Sequence, residues 1–145
     1  MKKYIHPYDM FGVECEDGWK GLYQPVIDYI NKYNEEHRGT DSFITILQIK
    51  EKYGGLRFYW NAENIPQEIC AELTNMIHEA ETESYKVCEF CGTRDKVGIT
   101  VDGWYTTICE DCVLDYNKKD GLFRLWKYDG KVYLINKDSK HEQSD

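Results

Sequence analysis

The chain of 145 residues carries 41% apolar and 30% charged residues with only three prolines, the profile of one folded unit with room for a small satellite rather than of a disordered chain. Eighteen basic against 26 acidic residues leave a net charge of −8, which disfavours general polyanion binding because phosphate contacts need a cationic face. No apolar run nears the ~20 residues of a membrane span, and the opening MKKYIHPYDM lacks the apolar stretch of a secretory signal. The expected location is the cytoplasm, with no membrane partner.

The first patterned element is a helix. In CEDGW, residues 15–19, Glu16 or Asp17 is placed to cap free backbone N–H groups. Trp19, Leu22, Tyr23, Val26, Ile27, Ile30 and Tyr33 then share one face at helical spacing. Pro25 cannot donate a hydrogen bond, so the spacing predicts a short first turn and a main helix over 24–36. FITILQIK, residues 43–50, is rich in β-branched residues. Both its alternating sets, Phe43/Thr45/Leu47/Ile49 and Ile44/Ile46, hold apolar members, which predicts a central strand partly buried on both faces. EKYGG supplies a turn with two glycines able to take positive φ, and LRFYW alternates Leu56, Phe58 and Trp60 against Arg57 and Tyr59, completing a hairpin.

A second helix is predicted from Pro66 to about Tyr85, with Ile69, Leu73, Met76, Ile77 and Ala80 on its inner face. Glu63, Glu68, Glu72, Glu79, Glu81 and Glu83 lie around its other face or just before it. Charge is unevenly placed: residues 43–61 hold three basic groups against one acidic, +2, and residues 62–86 one against six, −5. The last third changes character, with Asp-Gly pairs that predict two-residue hairpins over 97–108 and 122–136. The polar tail 137–145 is predicted to be mobile. The expected organisation is an α+β core over 1–86, with two helices packed on a hairpin-based sheet, a metal unit over 87–121, a C-terminal hairpin over 122–136, and the tail.

Cys88 and Cys91, then Cys109 and Cys112, form two C-x2-C pairs separated by 17 residues, a spacing that predicts one tetrahedral zinc ion. Four thiolates leave no open position for water, so the predicted Zn2+ is structural. A knuckle, a hairpin and ligands at a helix start predict a treble-clef-like unit, with a zinc ribbon as the alternative. Disulfides fit a reducing cytosol poorly. Cys70 reads as a small core residue beside Ile69, and Cys15 joins no Cys-His-Asx set. His6, His37, His78 and His141 are scattered, His78 among glutamates as a solvated side chain.

Lys52, Tyr53, Arg57 and Tyr59, with Lys50 beside them, form the candidate contact surface, offering cations and aromatic faces around a diglycine. In the blander reading the glycines only turn the hairpin and the aromatics are core. CEDGW, ILQIKEKYGGLRFYW, ESYKVCEFCG and GWYTTICEDC together resemble a family of small uncharacterised proteins from bacteria and phages. In that family a C-x-D-G-W segment, a Q-x-K-E-K-[FY]-G-x-L-R-F-Y hairpin and a cysteine-paired end follow in this order. The resemblance spans roughly residues 15–112 and implies a soluble intracellular protein; residues 122–145 lie outside it.

Three functions compete. The leading one is a non-catalytic, zinc-stabilised acidic interaction protein, in its sharpest form phage-encoded and binding or inhibiting a host protein by occupying a cationic groove. The second is a nucleic-acid-binding module built on the 50–60 hairpin, with Arg94 and Lys96 as a second point, and it must overcome the −8 charge. The third is a nuclease-like enzyme on a treble-clef scaffold, for which no histidine lies between Cys88 and Cys112. No P-loop, G-x-S-x-G or H-E-x-x-H motif occurs, and no catalytic residue is expected.

Overall fold

The computed structural model describes residues 12–120, 125–135 and 140–142. Its first sheet is built on strand β2 (Phe43–Lys52), which pairs antiparallel with β3 (Gly55–Glu63) and parallel with the short β1 (Val13–Glu14). β2 is therefore central, as its β-branched content predicts. Its two alternating sets do not hold to the end, because a bulge between Ile46 and Gln48 makes Leu47 an extra residue. The bulge brings Ile49 onto the buried face with Ile44 and Ile46 and leaves Leu47 55% exposed. Lys52 pairs with Gly55, so the connection is the two-residue turn Tyr53-Gly54, with φ of 56° and 84°. The diglycine divides its work: Gly54 takes the left-handed conformation, while Gly55 leaves room for the Tyr85 hydroxyl, which lies 2.2 Å from where a Cβ would sit.

Helix α1 (Lys20–Glu36) follows a 3-10 turn at Asp17–Trp19 and runs through Pro25 without interruption. The short first turn expected from Pro25 does not form a separate element. Pro25 lies in the second turn and withholds one hydrogen bond, while the same helix buries Tyr23, Val26, Ile27, Ile30 and Tyr33, next to Trp19 of the preceding turn. At roughly 1.5 to 3 kcal/mol for each large side chain, that burial outweighs the lost bond. Neither expected cap operates, since Glu16 makes no side-chain bond at the turn. Asn34 tethers the far end of α1, donating to the Ile44 carbonyl at 2.9 Å and accepting the Ile44 N–H at 2.8 Å.

Helix α2 (Gln67–Glu83) starts one residue after Pro66, which stands outside it in extended conformation, and passes into a 3-10 turn at Ser84–Lys86. Leu73, Ile77 and Ala80 face the core. Cys70 is exposed and not a core residue, because it stands 100° around the helix from Ile69. Nor is the glutamate face wholly free. Glu81 accepts the Phe58 N–H at 2.8 Å and the Ser84 hydroxyl accepts that of Leu56 at 2.9 Å, so side chains close the outer edge of β3.

The remaining strands form a second sheet in the order β5, β4, β6, β7, β8, comprising β4 (Val97–Thr100), β5 (Thr107–Cys109), β6 (Leu125–Tyr128), β7 (Lys131–Ile135) and β8 (Lys140–Glu142). Helix α3 (Glu110–Asp120) follows β5 directly. The hairpin expected at Asp102-Gly103 is looser than two residues. Thr100 bonds backbone groups of Trp104 and Thr106 through its hydroxyl, which ends β4 early and opens a loop over 101–106. The Asp129-Gly130 turn is tight as predicted, with φ of 52° and 79°. β6 pairs with β4, so the C-terminal hairpin extends the sheet of the cysteine unit. Within the tail expected to be mobile, β8 pairs with β7; positions 137–139 and 143–145 of that tail, like 1–11 with His6, lie outside the described residues.

Two apolar cores result. One joins α1, α2 and the inner face of the first sheet. The other gathers Cys88, Ile108, Cys109, Val113, Trp126 and Ile135, and the Trp126 indole donates to the Ile108 carbonyl at 2.9 Å. The α+β architecture with an attached cysteine unit is the one the sequence predicts. No described helix is long and apolar enough to cross a membrane.

Candidate metal centre

Cys88 and Cys91 occupy a knuckle closed by backbone bonds from the Gly92 N–H to the Cys88 carbonyl and from the Cys88 N–H to the Thr93 carbonyl, both 2.9 Å. Gly92 has a φ of 83°, a conformation a side chain would strain. Cys109 ends β5 and Cys112 sits in the first turn of α3, so knuckle, hairpin and helix start converge in the treble-clef order. The four sulfurs lie within 4.8 Å of one another. Cys91 Sγ and Cys109 Sγ are 3.7 Å apart. Sulfurs held at ~2.3 Å from a tetrahedral ion stand about 3.8 Å apart, whereas a disulfide needs ~2.05 Å. None of the six cysteines is paired in a disulfide, and the four-cysteine donor set fits a metal ion.

The thiols also differ in acidity. Burial pushes Cys109 up to about 11 against the hydrogen bonds from Cys112, and burial also raises Cys112, where the neighbouring thiols add to the shift. For Cys91, burial is outweighed by the hydrogen bond at Thr93 and by the adjacent thiols, which lower it. Four thiolates this close repel one another, and a dication removes that penalty.

The knuckle is also where the two cores are joined. The Gly18 N–H donates to the Glu89 carbonyl at 2.7 Å, and the Trp19 indole N–H to the Val87 carbonyl at 2.9 Å. The Glu16 N–H donates to Glu89 Oε2 at 3.2 Å. On the other side of the knuckle the Glu89 N–H donates to the Thr107 carbonyl at 3.0 Å, while the Thr107 hydroxyl donates to the Gly54 carbonyl at 2.6 Å. Gly18, Glu89 and Thr107 were not singled out by sequence reasoning; Gly18 sits inside the C-x-D-G-W segment, yet nothing local shows that it meets a residue 71 positions away.

Cys15 lies beside this seam, where burial, followed by the charges of Glu89 and Glu16, pushes its thiol up to about 12. It is therefore protonated at neutral pH and a poor nucleophile. Burial likewise raises Glu89 to about 7, against the opposing hydrogen bond from Glu16. His37 stacks on Tyr33 with ring centroids 4.0 Å apart, and His78 is exposed.

On the hairpin, Lys52 and Tyr53 are exposed at the tip and Tyr59 is 40% exposed. Lys50, Lys52, Tyr59 and Leu47 border a shallow depression on the outer sheet face. The guanidinium of Arg57 instead donates to the Tyr85 hydroxyl at 3.3 Å and the Leu56 carbonyl at 3.1 Å. Arg94 pairs with Glu83 at 3.6 Å. Comparisons with protein-family models, with curated proteins and with solved structures found no match.

Proposed function

We propose that the chain is a non-catalytic, acidic interaction protein whose shape is fixed by one structural Zn2+ and whose target is another protein, a host protein where the chain is phage-encoded. The observation that carries this reading is the four-thiol site at the seam between the cores. Four sulfurs complete the coordination of zinc and leave no position for substrate or water, so the ion would hold the seam's surfaces in place. A reducing cytoplasm suits six cysteines with no disulfide among them. The net charge of −8 supports a protein partner with a cationic face.

A nucleic-acid reading survives on one observation: Lys50, Lys52 and Tyr59 share an open sheet face. A fluorescence-anisotropy titration with labelled DNA and RNA between about 50 and 200 mM salt separates the two readings. Protein binding as the function predicts a flat trace at physiological salt. Micromolar affinity with a log-log salt slope reporting about two to four phosphates, weakened by Tyr53→Ala, would establish the nucleic-acid surface instead. The metal is checked by elemental analysis of reduced, tag-free protein, which should give one zinc per chain; less than half an equivalent defeats the structural-zinc reading.

A further inference from the structure

The two cores meet around a cleft of about 410 Å³. Glu16, Glu51, Glu89 and Asp102 line it together with Phe90 and Trp104, and among the described residues no lysine or arginine does. Glu89 is the group that needs explaining. It is only 6% exposed, and its Oε2 accepts the Glu16 N–H. Oε1 takes no hydrogen bond from a described residue, yet it is not sealed from solvent. In so buried a side chain that opening is the cleft. No cation stands within ion-pair distance of Glu89 among the described residues. Oε1 thus leaves an acceptor open to the cleft in a side chain that is otherwise enclosed, and a donor entering the cleft would fill it.

The chemistry of the walls narrows what arrives. No three of the cleft carboxylates converge closely enough to ligate a single ion, as the four cysteines do among the described residues. Trp104 is 71% exposed on the 101–106 loop and presents an indole face at the rim. A flat cation with several donors can reach separate carboxylates while stacking on an aromatic ring, which describes a guanidinium better than an ammonium.

We infer that this cleft receives an arginine side chain from a basic segment of a partner protein, with Glu89, Glu16 and Glu51 facing the guanidinium and Trp104 covering it. This rests on the protein-binding reading above and names the chemistry that its partner must carry. The test is an NMR titration of the zinc-loaded, 15N-labelled full chain with the peptide Ac-Gly-Arg-Gly-Arg-Gly-amide and its lysine and citrulline counterparts, at roughly 150 mM salt. The Trp104 indole signal, identified by its loss in Trp104→Ala, should shift saturably together with the amides of 89, 90 and 102–106. The arginine peptide should bind at least about threefold tighter than the lysine peptide, and the citrulline peptide should not bind. Glu16→Gln should weaken binding at least about threefold, whereas Glu68→Gln, the same charge change on α2, should not.

Equal losses from Glu16→Gln and Glu68→Gln, or shifts spread along α2, would overturn the inference in favour of diffuse attraction. Calcium moving the same signals at lower concentration than the peptide would overturn it in favour of a metal. If the peptides fail while wild type and Trp104→Ala bind one purified partner equally well, the cleft assignment falls and the protein-binding reading stands. Nucleic-acid binding with the salt slope given above removes that reading itself.

Discussion

Gly18 and Gly21 stand three positions apart and carry opposite demands. A Cβ on Gly18 would lie 2.2 Å from the Cys88 carbonyl oxygen and 2.4 Å from that of Glu89, backbone atoms held in place by the knuckle. Gly21 is exposed on α1 with nothing within 4 Å of the same position. Gly18→Ala should therefore cost about 1 to 3 kcal/mol or more through forced separation at the seam, whereas Gly21→Ala should gain ~0.5 to 1 kcal/mol from helix propensity. Urea denaturation of both variants checks the pair, and a neutral Gly18→Ala would show that the knuckle can move away. Gly55 is a softer case, because the atom in its way is the end of the Tyr85 side chain, 44% exposed and able to swing out.

Hairpin β2–β3 supplies one wall of the first core, and its inner residues are unequally covered. Phe58 is 3% exposed and Trp60 only half-buried. Phe58→Ala should cost about 3 to 5 kcal/mol, while Trp60→Ala should cost clearly less than that despite the larger ring. Thermal melts of the two variants decide this, and equal losses would mean that Trp60 carries more of the core than its exposure implies. The hairpin was legible in the sequence because alternation, β-branching and a glycine turn all point the same way. The bulge at Leu47 was not, since an extra residue leaves the composition unchanged and alters only the phase of the pattern. Pro25 misleads for a different reason: local propensity argues for a break, and the burial that overrides it depends on a sheet and a second helix remote in sequence. The clustering of the four cysteines was legible because metal geometry is encoded in short spacings; the contacts of the knuckle with Gly18 and of Thr107 with Gly54 were not, because each spans dozens of residues.

At the scale of the whole molecule, the four-cysteine cluster is a joint between two cores. Removing a ligand should therefore act on both. Cys109→Ala should lose the zinc and melt the second core, since structural zinc is worth on the order of 10 kcal/mol of apparent binding in small domains. The first core should also lose thermal stability, because Trp19, Gly18 and Gly54 give up acceptors or donors on the knuckle and on Thr107. Circular dichroism melts combined with metal analysis test this, and an unshifted first-core transition in the metal-free variant would show that the cores are energetically independent.

The Trp19 indole finds its acceptor 68 residues downstream and the Glu16 N–H finds its own 73 downstream. During synthesis at ~5 to 20 residues per second, the start of α1 waits roughly several seconds with Trp19 unsealed. With the proposed structural zinc, the wait then lasts until the ion closes the knuckle. A cell short of the ion would hold chains with an exposed tryptophan and an open seam, the species that chaperones and proteases sort. The amount of this protein in a cell should consequently follow the metal supply, and pulse-chase labelling under zinc chelation should show newly made chains degraded faster than those already loaded.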